Sequence, residues 1–316
     1  MKLYLSTVGV ALFALFNVIA GQGGQRRVET QRNVPTKQLN DGNHIPTLGL
    51  GTFGFDDIPK VRQAVIWAVE AGYRHIDTAA LYGNEAEIGK GISDVLNKGL
   101  VSRENLFITT KLWNDRHGRY QVVPALKESL AKLGLRYVDL YLVHSPEATD
   151  ENGAPAYIDY LETWKGMEEA KALGLTMSIG VSNFNTEQID RIKEHSKIVP
   201  AVNQIEVHPS NTQEQAIKEC FERNIAVVAY SPFGFFVSRN KGSSRDDPKI
   251  ANIAKKYKKT VNQVLLRYLL DRDLIPIPKS TNQSRIQENI DVFDFHLTPE
   301  EVATISSFNT DSSIFG

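Results

Sequence analysis

Between Thr36 and Phe308, short apolar runs of strand character alternate eight times with stretches of helical periodicity. No other feature constrains the fold as strongly. The strand-like runs fall at residues 47–51, 74–78, 106–111, 138–144, 178–182, 201–207, 226–231 and 274–278. The helical stretches fall at 60–70, 85–95, 122–133, 157–173, 186–195, 213–223, 261–271 and 285–290. In the fifth of these, Ile189 and Ile192 follow a Thr186 cap at a spacing that puts an apolar stripe on one face. Eight such units with no Pro/Gly/Ser linker between them predict one closed α/β barrel over 36–316, a (β/α)8 TIM barrel, rather than an open doubly wound sheet. Asp41-Gly42 between extended flanks predicts an opening β-hairpin, and the stretches 247–257 and 298–308 predict two helices beyond the repeat.

The 20 residues at the start are different. Lys2 is their only charge, the run after it is apolar, and Val18-Ile19-Ala20 offers a small-residue exit. This pattern predicts a secretory signal peptide, 1–20, and a secreted mature protein that is free of the membrane after cleavage. The competing reading is an uncleaved anchor at the lower length limit for a span. Residues 21–35, rich in Gly, Gln and Arg, read as a flexible arm. With 36 Lys plus Arg against 37 Asp plus Glu, the formal net charge is −1, which excludes the basic footprint of a nucleic-acid binder. Cys220, the one cysteine, excludes an internal disulfide and a cysteine-based zinc cage. A monomer is expected.

Barrels do their chemistry where strands end. Asp77, Tyr82, Lys111 and His144 stand at or just beyond the ends of the second, third and fourth strands. Singly, each has a plain structural reading: a helix cap, a packed loop ring, a solvated strand end, a core histidine. Jointly they make a proton donor. A phenol near pKa 10 is a poor acid at neutral pH. A neighbouring ammonium lowers that value, an aspartate keeps the ammonium charged, and a neutral imidazole can orient a carbonyl oxygen. Carbonyl reduction needs this set, a proton at oxygen while hydride reaches carbon.

Three segments carry a family resemblance. Residues 72–85 (GYRHIDTAALYGNE), 138–146 (VDLYLVHSP), and Ile277-Pro278-Lys279-Ser280 with Arg285, Glu288 and Asn289 resemble the aldo-keto reductases, and the likeness extends along nearly all of 36–308. It implies a barrel that binds NADPH without a Rossmann domain and reduces a small-molecule carbonyl compound. It further implies Tyr82 as general acid, Lys111 and Asp77 as its tuning pair, and His144 as the residue that orients substrate. By the same resemblance Ser182, Asn183 and Gln204 hold the nicotinamide carboxamide, and Tyr230 stacks on its ring beside Ser231. Gly51 and Thr52 flank the cofactor, Lys279, Ser280, Asn282 and Arg285 take the 2′-phosphate, and Glu288 and Asn289 complete the site.

Departures from the family bear on substrate. Phe53 and Ser145 stand where many relatives carry Trp. Phe53, Trp113, Ser145, Phe235 and Phe236 are the expected substrate walls. The tail after Phe308 is short, which predicts an open cleft suited to a bulky apolar ketone such as a ketosteroid, a 3-dehydroecdysteroid among them. Asn282-Gln283-Ser284 is a glycosylation sequon, expected to stay unmodified because Asn282 is needed in its loop.

Other motifs carry less. Gly49 to Gly54 matches G-x-G-x-x-G, but a Rossmann reading wants an acid about twenty positions on at the end of a second strand, and Glu70 lies instead within a helical stretch while that strand ends in Asp77-Thr78. Gly83 to Lys90 misses the P-loop spacing. Two further functions compete with reduction. A secreted barrel that binds ligand without turnover has no use for a tuned phenol. A glycosidase-like hydrolase needs two acids, for which Glu206 and Asp77 are the only evident pair.

Overall fold

The computed structural model describes residues 34–54, 58–234 and 247–315, all within one unit, Asn33–Gly316. The predicted signal peptide, the arm up to residue 33, and Phe235 and Phe236 lie outside the described residues. The last two residues of the predicted arm are docked. Val34 is buried, and the Pro35 carbonyl accepts a hydrogen bond from Thr47 N at 2.8 Å.

The chain opens with the expected hairpin. Strands β1 (Thr36–Gln38) and β2 (His44–Pro46) pair antiparallel. Gly42, at φ +89°, turns the chain between them. Eight parallel strands follow: β3 (Gly49–Gly51), β4 (His75–Asp77), β5 (Phe107–Leu112), β6 (Val138–Val143), β9 (Thr176–Ser182), β10 (Val202–Glu206), β11 (Ala226–Tyr230) and β12 (Ile275–Pro276). They are hydrogen-bonded in that order. The ring closes where Gly51 N donates to Pro278 O at 3.1 Å. A Cβ at position 51 would stand 2.5 Å from the Ile277 carbonyl oxygen. Close approach of two backbones therefore explains this glycine, and the G-x-G-x-x-G pattern begins as the first strand of the barrel.

Helices α1 (Ile58–Ala71), α2 (Glu85–Asn97), α3 (Arg119–Leu133), α4 (Tyr160–Ala172), α5 (Thr186–His195), α6 (Glu214–Glu222), α8 (Val261–Asp271) and α9 (Gln283–Ile290) connect or follow these strands. The two predicted extra helices are α7 (Pro248–Tyr257) and α10 (Pro299–Ser306). A small hairpin of β7 (Ala148–Thr149) and β8 (Pro155–Ala156) was not expected. The cap of α5 is Asn185, not Thr186. Asn185 Oδ1 accepts from Gln188 N, and Asn185 N donates in return to Gln188 Oε1. An amide at this position can take part in a reciprocal capping box, while the Thr186 hydroxyl donates to Glu219.

Alternation along the strands sorts the core into two. Residues such as Ile108, Tyr141, Val143, Val181 and Val227 face outward and pack beneath the helices. Phe107, Leu140, Leu142, Val202, Val228 and Ile277 cluster inside the barrel with Leu39 and Ile45 of the hairpin. The hairpin thus closes the N-terminal end of the barrel. The same period of two carries the inward face upward through Thr109 to Lys111 on β5, through His75 to Asp77 on β4, and past Leu142 to His144 after β6.

Burial holds several histidines neutral. His75 and His117 are buried, and desolvation pushes both down from the ordinary value near 6.5 to about 4. Among the described residues neither ring nitrogen of His117 has a hydrogen-bond partner. In the unfolded chain these groups take up protons below about pH 6.5 while the folded state does not, so the stability they carry at neutral pH is lost as pH falls from 6.5 through 4. Melting temperature is expected to drop across that window, with a smaller slope in His117→Gln. An identical slope in wild type and variant would exclude His117 as a source of the acid sensitivity.

Candidate active site

Asp77 ends β4, and a single 3-10 turn, Ala80–Tyr82, then presents Tyr82. Lys111 reaches across from β5. Its Nζ donates to Asp77 Oδ1 at 2.5 Å, to Thr78 O at 2.9 Å and to Tyr82 OH at 3.2 Å. All three ammonium protons therefore have acceptors in a site where Lys111 and Asp77 are each 1% exposed. The second Asp77 oxygen accepts from Gln204 Nε2 on β10 at 2.8 Å. Behind the pair, Thr52 Oγ1 donates to Asp77 O, Asn84 Nδ2 donates to Thr52 O, and Thr78 Oγ1 donates to Asn84 Oδ1. This chain of bonds fixes the end of β4.

Burial works against the Lys111 charge, but Asp77 and Tyr82 more than offset it and hold the ammonium above the ordinary lysine value. Tyr82 departs from expectation. Burial raises its pKa more than Lys111 lowers it, so the net direction is upward. The sequence shows the neighbouring ammonium but not the desolvation. The buried phenol is therefore protonated at neutral pH, as any tyrosine is, and is a weaker acid than a phenol in water; Lys111 offsets part of that rise. Burial first, then the positive charge of Lys111, lowers His144 to about 3, so its imidazole is neutral. Its ring lies edge-on to Trp113 at 5.0 Å and to Tyr82 at 5.8 Å.

The residues expected around the cofactor line the same cleft: Gly51, Ser182, Asn183, Gln204, Tyr230 and Ser231. Ser182 Oγ donates to Gln204 O at 2.8 Å. Asn183 adopts φ +62°, and its side chain bridges the cleft, donating to His144 O at 3.0 Å and accepting from Tyr230 OH at 3.0 Å. Thr52, also expected beside the cofactor, is buried, and its hydroxyl donates to Asp77 O. In the last segment Asn282 caps α9 by accepting from Arg285 N at 3.1 Å, and Ser280 Oγ accepts from Asn282 N. Lys279 and Arg285 are exposed beside that cap. Glu288 is occupied by Thr260, whose hydroxyl donates to it at 2.8 Å. Asn289 is 3% exposed, and its Oδ1 has no partner among the described residues. A buried carbonyl oxygen without a donor, close in sequence to two exposed cations, fits a nucleotide with an amino-bearing base and a phosphate.

The cleft has a volume of about 320 Å³, and Phe53, Leu81, Trp113, Ser145, Ile277 and Phe315 supply its other walls. Phe315 had no expected role. Its ring sits edge-on to Phe53 at 5.7 Å and to Tyr230 at 5.9 Å, and Phe53 lies 5.1 Å from Tyr82. The short tail therefore does not leave the cleft open on this side. It folds back along the residues after β10, with Thr310 N and Ser312 N both donating to Ser210 O. The second acid of the hydrolase reading is also accounted for: Glu206 accepts from His208 Nε2 and from the tail. Its carboxyl is raised by burial but lowered further by those bonds, so the net direction is below the ordinary glutamate value.

Comparison with known proteins agrees with this geometry. The model of the Aldo/keto reductase family matches residues 47–310. Aldo-keto reductase AKR2E4 of Bombyx mori is 60% identical over 284 residues, which is 87% of this chain and 92% of that protein. Its crystal structure in complex with NADP superposes with a TM-score of 0.86 at 59% identity, covering 89% of this chain and 94% of the other. The structure of aldo-keto reductase AKR2E5 complexed with NADPH gives a TM-score of 0.86 at 44% identity, covering 89% of each chain. The family match spans β3 through α10, and the chain belongs to the aldo/keto reductase family, oxidoreductases that work on carbonyl groups with NADP.

Proposed function

We propose that this protein reduces a bulky apolar ketone, of which ketosteroids (3-dehydroecdysteroids included) are the favoured class, with Tyr82 as proton donor. One observation carries the catalytic part. A fully buried ammonium donates to Asp77, to a backbone carbonyl and to the Tyr82 hydroxyl at once. Bound NADPH supplies the hydride. Tyr82 OH supplies the proton to the carbonyl oxygen, and Lys111, held charged by Asp77, stabilises the phenolate left behind. His144, neutral at every physiological pH, can donate one hydrogen bond to the same oxygen and orient it. Ser182, Asn183 and Gln204 present side-chain amides and a hydroxyl suited to a carboxamide, and the ring of Tyr230 offers a stacking face.

The apolar walls support the substrate class. Phe53, Leu81, Trp113 and Phe315 offer rings and methyl groups, and Ser145 leaves room where a larger side chain would fill the cleft. Lys279, Ser280, Asn282 and Arg285 support NADPH over NADH, because two cations near a hydroxyl and an amide suit a phosphate dianion. Location outside the cytosol is part of the same proposal. It rests on the composition of residues 1–20.

Purified mature protein is expected to oxidise NADPH faster with a ketosteroid than with a small polar aldose. Tyr82→Phe should retain NADPH binding and lose about two orders of magnitude or more in turnover. Undiminished turnover in that variant would remove Tyr82 from the mechanism. Arg285→Ala should weaken NADPH more than NADH, as measured by quenching of protein fluorescence. Equal weakening would place the 2′-phosphate elsewhere. Secreted material from an expressing cell should begin at Gly21 on N-terminal sequencing and carry no glycan at Asn282. Retention of Met1, or a glycan on fully active enzyme, would contradict the secretory reading or the cofactor assignment respectively.

A further inference from the structure

We propose that Glu206 is a positioning residue for substrate selection, because its carboxylate latches residues 313–315 so that Phe315 forms one wall of the cleft. The inference rests on the reading that this cleft takes a bulky apolar carbonyl compound. On β10 the inward side chains are Val202, Gln204 and Glu206. Gln204 serves Asp77, and Glu206 lies two residues nearer the rim, 3% exposed, with no part in proton transfer. A carboxylate buried to that degree requires donors. Oε1 accepts from His208 Nε2 and from Ile314 N, both at 2.8 Å. Oε2 accepts from Ser313 Oγ at 2.9 Å and from Phe315 N at 3.3 Å. Three consecutive tail residues thus converge on one side chain.

Phe315 itself is 53% exposed. It touches the rings of Phe53 and Tyr230 at the mouth but is not buried by them, so its own packing anchors it weakly. The backbone bonds to Glu206 decide where its ring stands. A substrate with an apolar ring system extending from its carbonyl gains a wall there, whereas a small aldehyde has little surface to bury against it. Glu206 acts on selection through the tail and does not touch the reacting atoms.

The test uses the full-length protein with NADPH and two probes, androstanedione and propanal. Glu206→Ala and Phe315→Ala should each lower the ratio of kcat/KM for the ketosteroid to that for propanal by about tenfold, equivalent to about 1.4 kcal/mol, mainly through KM. The double variant should lose no more than either single one, because both remove the same wall. Glu206→Gln keeps an acceptor oxygen for Ile314 N and should recover most of the ratio. Hydrogen exchange at residues 313–315 should speed up in Glu206→Ala. Equal losses with both probes, additive losses in the double variant, or unchanged exchange at the tail would each overturn the proposal. Phe315→Ala alters only the half-exposed tail, so it tests the wall even if Glu206→Ala fails to fold. A wild-type protein that oxidises NADPH with neither probe would refute the reductase reading instead, and tail exchange would still test the latch.

Discussion

Much of the site depends on an ammonium group held charged where water does not reach. Lys111 is inside the barrel, and a lysine there without compensation would release its proton. Asp77 prevents this, and breaking such a buried pair by removing one partner typically costs about 3–5 kcal/mol. The pair in turn requires β4 and β5 to lie side by side, with Asp77 opposite Thr109. It also requires Gln204 to reach Asp77 from β10 across the interior. Barrel closure at Gly51 and Pro278 is therefore a condition for the chemistry as well as for the fold.

That environment shifts two groups in opposite directions within one small volume. At Tyr82 burial outweighs the nearby charge and the pKa rises, whereas at His144 burial and the same charge act together and keep the imidazole neutral. A proton donor and a neutral hydrogen-bond donor thus face one cleft at neutral pH.

The architecture was legible because β/α alternation has two distinct periods, and the eight strands and the helices after them fall within a few residues of the expected spans. The tetrad was legible for a related reason. Asp77, Lys111 and His144 share the inward parity of their strands, and Tyr82 follows β4 by one short turn. Other details depend on quantities that no residue type encodes. Thr78 takes part through its backbone carbonyl. Thr52 and Glu288 have side chains already engaged elsewhere. The sign of the Tyr82 shift depends on how deeply the ring is buried, and the α5 cap depended on which of two neighbouring polar residues could form a reciprocal pair with Gln188. Phe315 was missed because a short tail can still reach the mouth when its backbone has partners along the way.

The hairpin at the bottom of the barrel bears on how damage could spread. Beneath Lys111 the inward face of β5 continues through Thr109 to Phe107, and Phe107 clusters with Leu39 and Ile45 of the hairpin. These two residues form a waterproof floor for a charge they never touch. A polar replacement there would admit solvent from the side opposite the substrate entrance, raise the local dielectric under the ammonium and loosen its hold on the phenol. Reductase activity could then fade through a lesion at the far end of the molecule, with every residue of the reaction centre still in place.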